Sequence, residues 1–233
     1  QDPVWRPDEF STLYQRSVYQ SMRSLSRRNF TLLRKTLPAL PSPVREQAER
    51  VLQAEEGVLQ QMGGIMGRKL SALKTRLHGD FHLGQVLFTG KDFVIIDFEG
   101  EPSRTLSERR LKRSPLRDVA GMLRSFHYAA RVVLRNHLAE QTGDSEWLLP
   151  WMELWQVQMG GIFLRSYLER LGGSAVAPRD PRDLEAMLRA FLLEKAVYEI
   201  GYELNNRPDW LDIPLSGIEM LLGSSQNPES RIE

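Results

Sequence analysis

The sequence predicts a mainly α-helical protein with one small β-hairpin. Apolar residues recur at three- and four-residue steps through most of the 233 residues, the spacing of a helix that buries one face. Short runs rich in Val, Ile and Phe, the signature of strands, occur together only in "QVLF" (85–88) and "FVIIDF" (93–98).

The elements follow in order. Phe10, Leu13, Tyr14, Val18, Met22 and Leu25 predict an amphipathic helix from Asp8 to Leu37, stopped by Pro38 and Pro41. Ser42 then caps a second helix with Pro43 in its first turn, and Val44, Ala48, Val51, Leu52, Val58, Leu59 and Met62 form its buried face. "MGGIMGRK" (62–69) has glycines and a Lys but no flanking strand, so it reads as a helix end rather than a phosphate loop. The turn "TGKD" joins the two strands of the hairpin. A basic loop follows, with six Arg or Lys from Arg104 to Arg117; its first expectation is a solvated face, and anion binding the second. Ser114-Pro115, Pro150 and Asp180-Pro181 open three further helices, Gly172 and Gly173 close the middle one, and "LSGIEMLLG" is a short last helix. Trp151, Trp155, Tyr198 and Tyr202 read first as core and second as a platform for stacking a sugar ring.

Bulk properties remove several classes of function. The net charge of +1 argues for neither nucleic acid nor an acidic membrane surface as partner. No apolar run approaches the ~20 residues of a membrane span. Cysteine is absent, which excludes disulfides and thiolate metal sites and agrees with the expectation of a cytoplasmic protein. The start "QDPVWRPDEF" has neither an initiator Met nor a signal-peptide shape, and predicts a cut inside a longer chain.

Chemistry concentrates in "LHGDFHLGQVLF" (77–88), which admits three readings. His78, Asp80 and His82 alternate, so they would share one face of a strand and form a metal cage, although Gly79 and Gly84 oppose a regular strand. A polar turn entering the hairpin is the bland reading. It leaves unexplained the second carboxylate, Asp97, inside an apolar strand, where burial without a partner costs several kcal/mol. Phosphoryl transfer accounts for both features. It needs a carboxylate to orient an acceptor hydroxyl and take its proton, and oxygen ligands to hold magnesium on the phosphates. Asp80, Gln85 and Asp97 stand in the order loop, first strand, second strand that protein-kinase-like enzymes use.

"HGDFHLGQVLF…FVIIDFEGEP" resembles the catalytic segment of the aminoglycoside-phosphotransferase-like kinases, whose common form has Asn where this chain has Gln85. The "DFEGEP" block, "KRSPLRDVAGMLRSFHYAA" and the region from Leu193 to Ile218 resemble one branch, the maltokinases. "LYQRSVYQSMRSLSRRNFTLLRK" is similar to the entry to the kinase C-lobe in maltokinases fused behind a trehalose synthase. The resemblance implies a protein-kinase-like C-lobe (α+β) that transfers the γ-phosphoryl group of ATP, with Mg2+, to the anomeric hydroxyl of maltose, giving maltose 1-phosphate for α-glucan synthesis. It implies Asp80 as catalytic base and Gln85 and Asp97 as magnesium ligands. Glu99 would assist the metal or bind sugar, and His78 and His82 would brace the loop. Asp118 would accept backbone N–H groups from that loop, though an acidic residue in a first helical turn is favourable in any case.

The expected organisation is a helical segment entering the lobe (1–76), the catalytic loop and hairpin (77–103), an activation-segment-like loop (104–113), a helical lobe (114–223) and a disordered tail (224–233). Neither a nucleotide-binding N-lobe nor a trehalose synthase domain is expected within these residues, so the isolated chain is expected to be inactive. Two alternatives remain at this point: a kinase for another hydroxyl acceptor, and a non-catalytic module of a trehalose synthase.

Overall fold

The first helix, α1 (Thr12–Thr36), starts at Ser11, whose Oγ accepts the Tyr14 N–H at 3.3 Å. The apolar steps predict a start at Asp8 because Phe10 is buried as a helical residue would be. Its N–H instead donates to the Ala72 carbonyl at 2.9 Å. Asp8–Glu9 is strand β1, paired antiparallel with β2 (Leu73–Lys74), a ladder the sequence reading missed. Two-residue strands are too short to show a period, so no pattern could reveal them.

This computed structural model describes residues 4–102, 104–140 and 147–223; the tail expected at 224–233 lies outside them. The chain divides into two units, Gln1–Phe10 with Ser71–Arg179 and Ser11–Leu70 with Asp180–Glu233. The described residues are 70% helical, so the expectation of a mainly α fold holds.

The second of these units is helical. It contains α1, α2 (Ser42–Gln53), α3 (Glu55–Gly63), α7 (Pro181–Asn206) and α8 (Asp212–Gly223). Continuous apolar spacing predicts one helix where α2 and α3 stand, but Ala54 leaves helical geometry at φ −87°, ψ 4°. Val18, Met22, Phe30 and Leu33 of α1 are buried in the same unit as Met187, Phe191, Leu193 and Ile200 of α7, and burying each such side chain is worth about 1.5–3 kcal/mol. Inside that core, Asn29 donates to the Val197 carbonyl at 2.7 Å, which satisfies a buried amide.

Three helical glycines give a direct test of this packing. A Cβ at Gly201 would stand 2.6 Å from Asn29 Oδ1, whereas at Gly57 and Gly161 it would meet nothing within 4 Å. Gly57→Ala and Gly161→Ala are expected to raise stability by about 0.5–1 kcal/mol each. Gly201→Ala is expected to lower it by about 1–3 kcal/mol through overpacking. Urea denaturation of the three variants checks this; a stabilised Gly201→Ala would refute the packing.

The other unit holds both ladders, the helices α4 (Leu106–Arg109), α5 (Leu116–Glu140) and α6 (Leu148–Leu171), and the hairpin β3 (Val86–Phe88) and β4 (Phe93–Ile95). Val86 pairs with Ile95, Leu87 with Val94 and Phe88 with Phe93. The core reading of the aromatics fails on α6: Trp151 is 61% exposed and Trp155 39%, the latter edge-on to Phe126. Helical spacing identifies a stripe but not what covers it. Among the described residues no helix is long and apolar enough to cross a membrane.

Candidate active site

The segment from Leu77 to Gln85 lies between β2 and β3, and its shape is set from α5. Thr75 and Arg113 pair antiparallel, each N–H donating to the other's carbonyl at 2.9 Å, which brings the start of α5 beside the loop. Asp118, in the first turn of α5, then accepts the His78 N–H at 2.9 Å and the Gly79 N–H at 3.0 Å. Burial pushes the Asp118 carboxyl above its ordinary range, while these two N–H groups pull it down. Gly79 turns the loop at φ 86°, with Gly100 so close that a Cβ on Gly79 would reach its Cα at 3.3 Å. A side chain at that position would be strained both by the positive φ and by the crowding against Gly100.

His78 is buried and ties the loop to the hairpin. Its Nε2 donates to the Ile96 carbonyl at 2.7 Å, and its Nδ1 accepts the Asp80 N–H at 3.4 Å. These roles assign the ring proton to Nε2 and leave neither nitrogen facing a metal. The ring packs 4.9 Å from Phe98 and 5.5 Å from Phe81. His82 caps the 3-10 turn Leu83–Gln85, its Nδ1 accepting the Gly84 N–H at 3.1 Å, while its Nε2 stands 3.8 Å from Asp80 Oδ2. The Asp80 side chain is 18% exposed.

The hairpin joins the remaining pair. The Ile96 N–H donates to the Gln85 carbonyl at 3.0 Å, and Gln85 Nε2 lies 3.1 Å from Asp97 Oδ2. Asp97, at φ 60°, is the only non-glycine with positive φ among the described residues. Such a conformation costs about 1–3 kcal/mol and persists only where the surroundings impose it. It takes Asp97 out of the strand alternation at the point where the sequence shows a carboxylate in an apolar run. Glu99 is exposed in the turn beyond and lies outside this hydrogen-bond set.

No protein-family model matches the chain. A glucosamine kinase from Mycolicibacterium smegmatis is 35% identical over 147 residues, which cover 62% of this chain and 34% of that enzyme. One from Streptacidiphilus jiangxiensis is 27% identical over 140 residues, 59% of this chain and 29% of its own length. The homologues are glucosamine kinases. Among solved structures, one crystal form of a glucosamine kinase superposes with a TM-score of 0.74 at 21% identity, covering 94% of this chain and 49% of that one. A glucosamine kinase in complex with glucosamine, ADP and inorganic phosphate gives 0.73 at 22% identity, with 95% and 50% covered. The fold is that of about half a sugar-kinase chain. The chain spans about a third of the length of these curated glucosamine kinases.

For a kinase fold the question is whether the residues suit magnesium. Gln85 and Asp97 offer hard oxygen donors side by side, and the amide of Gln85 presents oxygen or nitrogen by a simple flip. Asp97 is exposed rather than spent on buried partners. The pair fits magnesium, which takes few protein ligands and completes its shell with water and phosphate oxygens. A histidine cage does not fit: among the described residues, no group of three or more His, Cys, Asp or Glu is placed to hold a metal ion. Sequence reading passed over Ser125 and Gly121 of α5, which also touch the loop; lone small residues in a helix carry no motif.

Proposed function

We propose that this chain supplies the catalytic loop and metal-binding hairpin of an ATP-dependent sugar kinase, working with a nucleotide-binding lobe that carries the phosphate-steadying Lys. The observation that carries the reading is the Gln85–Asp97 pair at the base of the hairpin. It is tied through His78 to a loop that presents Asp80 and is held from below by Asp118. The kinase fold and the glucosamine-kinase homologues support it.

Asp80 takes the proton of the sugar hydroxyl as that oxygen bonds to the γ-phosphorus; the bond to the β-phosphate oxygen breaks and ADP leaves. Gln85 and Asp97 would hold Mg2+, which when bound neutralises charge on the phosphate oxygens. His82, beside Asp80 and bonded to Gly84, steadies the carboxylate side of the loop. Asp118 and His78 hold the loop's backbone. Glu99, exposed two residues beyond Asp97, would assist the metal or bind the sugar.

Two acceptors have specific support. The resemblance of the "DFEGEP" block and the region 193–218 to maltokinases favours the anomeric hydroxyl of maltose, giving maltose 1-phosphate, with a trehalose synthase domain as attached partner. The homologues favour glucosamine. The test is phosphate transfer from ATP by the full-length protein to maltose, glucosamine, an aminoglycoside and an amino alcohol, with products located by NMR. Turnover on maltose alone supports the first reading and turnover on glucosamine alone the second. Transfer to none refutes the kinase reading and favours a structural module.

A further inference from the structure

We propose that α5 cradles the catalytic loop at three points, and that Ser125 and Gly121 are positioning residues for Asp80 alongside Asp118. The inference rests on the kinase reading above and adds residues to it.

Asp118, Gly121 and Ser125 are spaced by three and four residues, so they lie on one face of α5. That face meets the loop at successive backbone groups. Asp118 takes the N–H groups of His78 and Gly79, just before Asp80. The Phe81 carbonyl, just after Asp80, comes down onto Gly121, where a Cβ would stand 2.6 Å from its oxygen. The Leu83 N–H donates to Ser125 Oγ at 3.1 Å, and that hydroxyl donates in turn to the Met122 carbonyl at 2.8 Å. Its proton is thus engaged by the helix, which leaves an oxygen lone pair aimed at the loop.

Beyond the Thr75–Arg113 bridge, residues 76–82 have no β-ladder to hold their backbone groups. Asp118 grips only the residues before Asp80, and after it the His82 cap and the Ile96 N–H hold the chain to itself and to the hairpin but not to α5. The grips at Gly121 and Ser125 fix the far side, so Asp80 sits between anchored flanks. Phosphoryl transfer depends on the placement of the base, and an error of about 1 Å in such a group lowers turnover about a hundredfold. Neither side chain need touch substrate; both act through the loop.

The experiment compares Ser125→Ala, Ser125→Thr and Gly121→Ala with wild type in the full-length protein, measuring steady-state kinetics with the best acceptor and hydrogen exchange of the Leu83 amide. Ser125→Ala is expected to lower kcat about tenfold with KM for ATP and sugar near wild type, the signature of a misplaced catalytic group rather than lost binding. Ser125→Thr, which keeps the hydroxyl, is expected to restore kcat. Gly121→Ala is expected to lower kcat about a hundredfold, although alanine is the better helix former. Leu83 exchange is expected to quicken in Ser125→Ala and not in Ser125→Thr. Wild-type kcat in Ser125→Ala, or unchanged Leu83 exchange, overturns the cradle. A wild-type protein without transfer activity fails the kinase reading instead, and the exchange comparison then still decides whether Ser125 holds the loop.

Discussion

Asp80→Asn in the full-length protein is expected to lower kcat for sugar phosphorylation by about 10²–10⁴, the range that removal of a general base produces. Asn has nearly the shape of Asp and still accepts a hydrogen bond from a hydroxyl, but it cannot take the proton. The loop is held through other groups: the N–H of residue 80 to His78, and the neighbouring N–H groups to Asp118. The variant is therefore expected to fold with an unchanged melting temperature and to bind both substrates with little change in KM. Steady-state kinetics and thermal melting on one preparation check both halves. Unchanged turnover would remove Asp80 from the chemistry, whereas a large fall in melting temperature would make it a structural residue.

The second large effect concerns acid stability and His127. Burial, reinforced by the charges of Arg124 and Arg131, lowers its pKa to about 2. Its Nδ1 lies 3.0 Å from Arg124 Nη1, and since the guanidinium only donates, the ring must accept there. The unfolded chain takes up a proton on this histidine near its ordinary pKa of about 6.5. The folded chain does not until about pH 2. Between those values the unfolded state holds more protons, so this contribution is complete above pH 6.5 and is lost as pH falls. At about 1.4 kcal/mol per pH unit, the loss reaches roughly 3 kcal/mol by pH 4. His127→Gln keeps an acceptor for Arg124 and removes the titration. Urea unfolding of this chain at pH 7.5 and pH 4 is expected to show the difference between variant and wild type moving by about that amount in the variant's favour. Parallel losses in the two proteins would refute it.

Legibility in the sequence followed range along the chain. Gln85 and Asp97 are twelve residues apart and joined by a hairpin whose turn and strands are both local signals. An unusual carboxylate in an apolar run marked Asp97, and the positive φ there gives that anomaly a structural form. Asp118 came into view through resemblance, because a first-turn acid has an ordinary explanation at the helix dipole. Ser125 and Gly121 carried no signal: one is a hydroxyl and the other an absence of side chain. Trp151 and Trp155 misled as core residues because periodicity reports a face, not its covering.

The sequence by itself determined the helices, the hairpin and the residue types needed for phosphoryl transfer, since spacing, caps and turn residues act over a few positions. Tertiary structure alone decided three things. It diverted Asp8–Glu9 from the first helix into a ladder with Leu73–Lys74. It engaged both nitrogens of His78 and so removed the metal cage. And it set one face of α5 under the loop that carries Asp80. Each depends on backbone groups from distant parts of the chain finding partners, and every residue carries the same N–H and C=O whatever its side chain.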